Sequence, residues 1–379
     1  MSQFQNPVAV YGGHRGCEEL AAALAVEYSH VGKVLLLTRG ESVEQEESLR
    51  PLLVWAQQRE LRLKELSLSN PDLDDILSLK QELGSFDYQL IVAIGGGSVM
   101  DMAKSLAAIQ KCDLSTTAEL RTCVTAGSYE SGSKATPWIG IPTTAGTGSE
   151  VTKWATVWDR ELSCKYSISG DTLYGRKALI VAELMRSMPL RLSATTALDA
   201  MCHATEAYWS VHTNAITRLY ALAAIERVRT ALPQLHADPQ NLETRELLAN
   251  ASLYAGLAFS NTRTTACHSI SYPLTLLHGI DHGIAASMTL GAVARINESA
   301  LVEPENLYRA FGVARVEEIN TVVRRLYDLF GIPQQLRAYG VTEESITQIA
   351  AGAFTKGRMD NNPVEISEAM VREMLRNAL

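Results

Sequence analysis

In ALDAMCHATEAY, Asp199 and His203 stand four residues apart in a stretch with helical apolar spacing. Side chains at i and i+4 leave one face of a helix, so a carboxylate and an imidazole are presented together and can grip one ion. Taken alone, such a pair also fits a helix surface or a satisfied core histidine. Three more imidazoles, His268, His278 and His282, crowd HSISYPLTLLHGIDHG among mostly apolar or small residues. A buried imidazole needs partners for both ring nitrogens, so this density calls for something charged between the rings. His268 and His282 flank a break expected at Pro273 and Gly279 and can converge from two helices. With Asp199 and His203 they make a set of three imidazoles and one carboxylate. That set suits Fe(II) or Zn(II), with a position left open for substrate.

A second chemistry is suggested by IVAIGGGSVMDMAKSLAAI, which places Gly95, Gly96 and Gly97 between a buried strand and an amphipathic helix. Glycines there let backbone amides approach a diphosphate, and the helix N-terminus adds donors and a favourable dipole. Ser98 can donate a further hydrogen bond, and Asp101 and Lys104 follow in the first turns. A lone GGGS reads equally as a tight turn that binds nothing. IGIPTTAGTGSEVTKWA repeats the arrangement with Thr143, Thr144 and Thr147 after a strand-like run at 138–141. Two such loops in one α/β region fit a dinucleotide lying across the carboxyl edge of a sheet, although neither is GxGxxG.

These residues need elements to hold them. VAVYGG, KVLLLTRG, LRLKELSL and YQLIVAIGGGS alternate with helical stretches, which implies a parallel sheet with crossover helices. From Pro189 onward, segments such as ITRLYALAAIERVRTAL carry apolar residues at i, i+3 and i+4 and read as all helical. A boundary at 182–190 gives an α/β dinucleotide-binding domain over 1–185 and an all-helical metal-binding domain over 186–379. A chain of 379 residues exceeds what one core usually supports, so two domains are expected. The formal charge of −8 works against polyanions, so nucleic acid is not an expected partner. No apolar run approaches the ~20 residues of a membrane helix. The start MSQFQNPVAVYGG lacks a signal-peptide pattern, and six scattered cysteines form no disulfide framework. A cytoplasmic protein away from membranes is expected.

GGGSVMDMAK, PTTAGTGSEVT, LDAMCHATEAY and HSISYPLTLLHGIDHG, in this order, resemble the iron-dependent (group III) alcohol dehydrogenases. The resemblance implies a Rossmann-like N-terminal domain followed by an all-helical metal domain, usually in homo-oligomers. It places Asp199, His203, His268 and His282 on the family's metal ligands. Gly95, Gly96, Gly97 and Ser98 fall on its pyrophosphate loop, and Thr143, Thr144 and Thr147 in its second cofactor loop. It further implies hydride transfer between NAD(P)H and a small aldehyde or alcohol.

Three departures bear on function. Tyr272 stands where many members have a relay histidine; a phenol, with an ordinary pKa near ~10, is a poorer acid at neutral pH. His278 is the candidate to take over that relay, against a solvent-facing loop histidine. After KVLLLT, NAD-selective members carry an aspartate, whereas Arg39 here can accommodate a 2′-phosphate, so NADP(H) is expected over NAD(H). Arg263 replaces a common glycine and can hold a phosphonate or carboxylate, with Lys153 and Lys165 as weaker candidates. SEVTKWATVWD, KYSIS and NTRTTACHSISYPLT also resemble the branch that reduces phosphonoacetaldehyde to 2-hydroxyethylphosphonate. The competing readings are a general dehydrogenase of short primary alcohols, diols or lactaldehyde, and a dehydroquinate-synthase-like lyase. Glu206, one turn beyond His203, is expected to orient a ligand imidazole, and Cys267 to be a buried packing residue.

Overall fold

Runs rich in Leu, Ile and Val in the first half fold as strands with helices between them. The computed structural model describes residues 3–40, 43–67, 70–130, 134–162 and 164–379. The order is β1 (Ala9–Gly12), α1 (Gly16–Glu27), β2 (Lys33–Thr38), α2 (Arg50–Gln57), β3 (Glu60–Glu65), α3 (Leu73–Leu83), β4 (Leu90–Gly95), α4 (Gly97–Ile109), α5 (Thr117–Ala126) and β5 (Trp138–Pro142). A short antiparallel hairpin, β6 (Trp154–Asp159) and β7 (Cys164–Ser169), precedes β8 (Lys177–Ile180). Six strands form one parallel sheet in the order β1-β8-β5-β4-β2-β3. β4 is buried along its whole length and β2 from its second residue on, the pattern of parallel strands covered by helices on both faces. Two apolar clusters, one built on Leu35, Ile91 and Met102 and the other on Leu36, Val92 and Leu179, make the core.

The second half is helical. It comprises α6 (Leu190–Trp209), α7 (Ala215–Ala237), α8 (Leu242–Thr262), α9 (Ala266–His278), α10 (His282–Met288) and five further helices that follow, from Leu290–Asn297 to Glu368–Asn377. α6 is buried on nearly all sides between α7 and α8, which is how Asp199, His203 and Glu206 come to lie in an interior. The helices start where short polar side chains can cap them: Asn214 closes a capping box on α7 and Asn241 accepts from the amide of Thr244 on α8.

Chain contacts divide the molecule into a sheet unit, Asn6–Thr144 with Ser149–Met185, and a helical unit that takes residues 3–5 and Ala145–Gly148 with Arg186–Leu379. The short Ala145–Gly148 segment belongs to the helical unit because its glycines lie against α6 and α8. A Cβ on Gly148, at φ +55°, would stand 2.5 Å from the Gly256 Cα, and one on Gly146 2.6 Å from the Thr196 Cβ. One expectation is corrected: the break before His282 comes at Gly279 (φ +64°) alone, and Pro273 lies inside α9. Proline forfeits the amide bond to the carbonyl four residues earlier, but α9 is held by packing rather than by that one bond.

Candidate metal and nucleotide sites

The nucleotide candidates lie along the carboxyl edge of the sheet. Gly95 ends β4 and pairs in register with Pro142 at the end of β5, and the Thr143 amide donates to the Gly95 carbonyl at 3.0 Å. A Cβ on Gly95 would stand 2.4 Å from Val99 Cγ2, so glycine lets α4 start directly after β4, and one on Gly96 would press on Thr144 Oγ1 at 3.2 Å, so the two loops run close together there. α4 begins at Gly97 with no side-chain cap, leaving its first amides for an acceptor. Ser98 Oγ accepts from the Asn70 amide at 3.0 Å. Thr38 closes β2 next to Ile94, so exposed Arg39 leaves the sheet at the same edge. The structure thus gathers Arg39, Gly95, Gly96, Gly97, Ser98, Thr143 and Thr144, while Thr147 belongs to the segment packed into the helical unit.

Lys104 is corrected. It is wholly buried two turns into α4, and its ammonium donates to Ser149 Oγ (2.8 Å), Thr152 Oγ1 (2.9 Å) and the Trp154 carbonyl (2.9 Å). An ammonium has three donors, so none remains for a cofactor. Burial pushes its pKa down to about 8 against the pull of Asp101 and Glu150. Asp101 turns the same way: it accepts from Ser149 Oγ at 3.4 Å, and burial lifts it to about 6 although Lys104 opposes this. Both residues hold α4 to the β6 segment instead of facing a ligand.

The helical unit holds the other cluster. Asp199, His268 and His282 each offer a ligand atom within 4.8 Å of the others. His268 Nε2 lies 3.3 Å from Asp199 Oδ1, and its Nδ1 lies 2.5 Å from Glu206 Oε2. Glu206 is completely buried and its Oε1 also accepts from Thr265 Oγ1 (2.8 Å) and the Cys267 amide (2.6 Å). A carboxylate held in this way fixes the proton of His268 on Nδ1 and turns Nε2 toward Asp199. His203 stacks on His268 and on Phe259, with ring centroids 4.2 Å away in each case. Its Nδ1, 3.7 Å from Asp199 Oδ2, is buried and has no hydrogen-bond partner among the described residues.

Charge sharpens the picture. Burial would raise the Asp199 carboxyl, but the surrounding imidazoles more than offset this and hold it below the usual carboxylate range. Burial pushes His203 down to about 3, so it is neutral with a lone pair to give. Burial also disfavours charge on His268, yet Glu206 and Asp199 on either side raise its pKa well above the ordinary value. Two buried carboxylates therefore flank one imidazole whose charged form they favour, and among the described residues neutral His203 keeps a buried Nδ1 with no hydrogen-bond partner. Those donors fit a divalent cation, which would take the place of the imidazolium charge and engage the orphaned nitrogen.

Tyr272, half-buried on α9, stacks its ring on His282 at 5.9 Å with only 2° between planes. His278 is the half-exposed last residue of α9, one turn and a half farther along. Arg263 caps α8 at φ +60° and ψ 177°, a backbone region that glycine alone adopts with ease; the strain costs about 1–3 kcal/mol. Lys153 donates to Asp171 at 2.6 Å, which satisfies its charge inside the sheet unit. Cys267 is fully buried and all six cysteines are free.

A parallel sheet with glycine turns at its carboxyl edge, and a helical unit with a buried Asp/His cluster, define a nucleotide-linked metalloenzyme. Residues 7–181 match the iron-containing alcohol dehydrogenase family and residues 193–379 match the C-terminal region of the Fe-containing alcohol dehydrogenases, so the chain belongs to this family of NAD(P)-dependent oxidoreductases. It is 35% identical to a phosphonoacetaldehyde reductase of Streptomyces viridochromogenes over 60% of this chain and 58% of that protein. It is 32% identical to a 1,3-propanediol dehydrogenase of Klebsiella pneumoniae over 76% of each chain. Among solved structures, the sulfoacetaldehyde reductase of Bifidobacterium kashiwanohense in complex with NAD+ superposes with a TM-score of 0.87, at 29% identity, covering 100% of this chain and 98% of that one. The chain is accordingly an alcohol dehydrogenase or aldehyde reductase. Among the described residues no helix is long and apolar enough to cross a membrane.

Proposed function

We propose that the protein reduces a small anionic aldehyde, phosphonoacetaldehyde to 2-hydroxyethylphosphonate, with hydride from NADPH, and that Asp199, His203, His268 and His282 hold the divalent ion. The observation that carries this reading is the convergence of buried Asp199 and His268 with half-buried His282, beside the orphaned Nδ1 of His203. Fe(II) is the ion favoured, with Zn(II) chemically able to use the same donors. When bound, such an ion acts as a Lewis acid that offsets the negative charge developing on the carbonyl oxygen during hydride transfer.

The protein's own groups supply the rest. Glu206 holds His268 in one tautomer and orientation. Gly95, Gly96, Gly97 and Ser98, with Thr143 and Thr144 beside them, offer amides and hydroxyls to the diphosphate of the dinucleotide. Thr147, farther along the second loop, is a further residue for the dinucleotide. Arg39, at the end of β2, reaches for the 2′-phosphate of NADP(H). Tyr272, stacked on His282, delivers the proton to the nascent alkoxide, and His278 passes protons to it from solvent. Arg263 holds the anionic head; Lys153 would have to leave Asp171 to help.

Likeness to an anionic-aldehyde reductase supports the phosphonate, and likeness to a diol dehydrogenase supports the second reading, a dehydrogenase of short alcohols and diols. Steady-state kinetics on protein of measured metal content decide between them. Phosphonoacetaldehyde with NADPH is expected to give the highest kcat/KM in a panel with sulfoacetaldehyde, propanal, lactaldehyde and 3-hydroxypropanal. Preference for a neutral compound would overturn the substrate, and a strong preference for NADH would overturn the role of Arg39.

A further inference from the structure

Arg263 is not the only guanidinium at its place. Its Nη1 lies 3.1 Å from where a Cβ on Gly357 would stand, and Gly357 itself holds the left-handed φ of +75° that favours glycine. Arg358 Nη1 donates to the carbonyl of the same glycine at 2.8 Å. Two guanidiniums thus converge on one residue, and among the described residues neither forms an ion pair with a carboxylate within 4.0 Å. Partial burial and the charge of Arg358 both depress the pKa of Arg263, with Asp360 pulling the other way.

The segment that carries Arg358 is fastened on either side of His268. Asn361 Nδ2 donates to the Thr264 carbonyl at 3.0 Å and to the Gly357 carbonyl at 2.8 Å. Ser269 Oγ donates to the Ala353 carbonyl at 2.5 Å and accepts from the Thr355 amide at 3.1 Å. These bonds keep the arginine pair beside the turn that leads into the candidate metal cluster. Arg263 also holds a strained, glycine-type backbone (φ +60°), which a residue of no function would not be expected to keep.

We propose that Arg263 and Arg358 form a guanidinium clamp for the tetrahedral oxyanion head of the aldehyde substrate, which makes Arg358 a second specificity residue. Two planar forks offer enough donors for all three oxygens of a phosphonate or sulfonate, more than a planar carboxylate can use. This rests on the reading that the substrate is a small aldehyde with an anionic head.

The test uses metal-loaded wild type, Arg358→Ala, Arg358→Lys and Arg263→Gly. The ratio of kcat/KM for phosphonoacetaldehyde to that for propanal is expected to exceed one in wild type. It should fall by about tenfold or more in Arg358→Ala, mainly through KM, and by less in Arg358→Lys. Arg263→Gly should lower the ratio while raising Tm, because it relieves the backbone. Methylphosphonate, used as the probe, should raise the Tm of wild type and not that of Arg358→Ala. If wild type prefers phosphonoacetaldehyde but Arg358→Ala keeps the ratio within about twofold and keeps the methylphosphonate shift, the clamp is overturned while the proposed substrate stands. Wild type that prefers propanal overturns both. If Arg358→Ala does not fold, Arg358→Lys decides by the same two readouts.

Discussion

Two buried charge networks lie in this chain, one in each unit, and they differ in whether the protein alone completes them. In the sheet unit, Lys104 spends its three donors on Ser149, Thr152 and Trp154, with Asp101 and Glu150 balancing its charge. In the helical unit, Asp199 and Glu206 share one histidine, and His203 keeps a buried nitrogen with no hydrogen-bond partner among the described residues. A saturated network ties elements together, whereas an unsaturated one has capacity for a ligand. Both contain acidic and basic residues four or fewer positions apart on a helix, so composition does not separate them.

Either network can be disrupted by one substitution. The largest effect is expected from Asp199→Asn, which removes the carboxylate at the centre of the imidazoles. Loss of Lewis-acid stabilisation worth several kcal/mol should lower kcat/KM by about a thousandfold, measured with saturating NADPH. Lys104→Met should instead cost about 3 kcal/mol in urea unfolding by leaving three buried acceptors without a donor, while metal content stays at the wild-type level. Loss of metal in that variant would mean the two networks are not separate.

How far these networks were legible in the sequence follows from where each partner lies. The Asp199/His203 pair is local to one helix, and the alternation of the first half gave β1 to β4 and their helices. Lys104 stood inside the glycine motif, but its partners come from 45 or more residues later, beyond the reach of any spacing rule. β6 is not legible in the sequence because WATVWD is mostly apolar on both faces, which hides the period-2 burial seen in the fold. Arg358 sits in TKGRMDNNP, outside every motif, and only the Gly357 contact brings it to Arg263. Glu206 was found because it lies one turn from His203, although its bonds to Thr265 and Cys267 were not foreseeable.

A smaller effect sharpens the contrast in the helical unit. Glu206→Gln keeps the shape but weakens the hold on His268, so metal affinity in a chelator competition should fall by about 10–100-fold. An unchanged affinity would make Glu206 a packing residue.

The smallest effect concerns pH and the sheet network. Burial lifts Glu150 from 4.5 to about 7, so between these values the folded chain keeps a proton that the unfolded chain has lost, and stability falls as pH rises. Burial lowers Lys104 from 10.5 to about 8, so between 8 and 10.5 the folded chain has lost a proton that the unfolded chain keeps, and stability recovers as pH rises. The urea midpoint of the sheet unit should therefore pass through a shallow minimum near pH 7 to 8. Asp101, lifted to about 6, adds to the lower part of the falling limb, so Glu150→Gln should flatten chiefly the part between about pH 6 and 7; that part unchanged in the variant would assign it to other groups.

The orphaned nitrogen of His203 is a ligand in waiting, and metal analysis of wild type and His203→Ala tests that directly. Elemental analysis after Fe(II) loading and dialysis against a weak chelator should find one ion per chain in wild type and a small fraction of that in the variant. Equal retention of metal by His203→Ala, with both proteins folded, would contradict it.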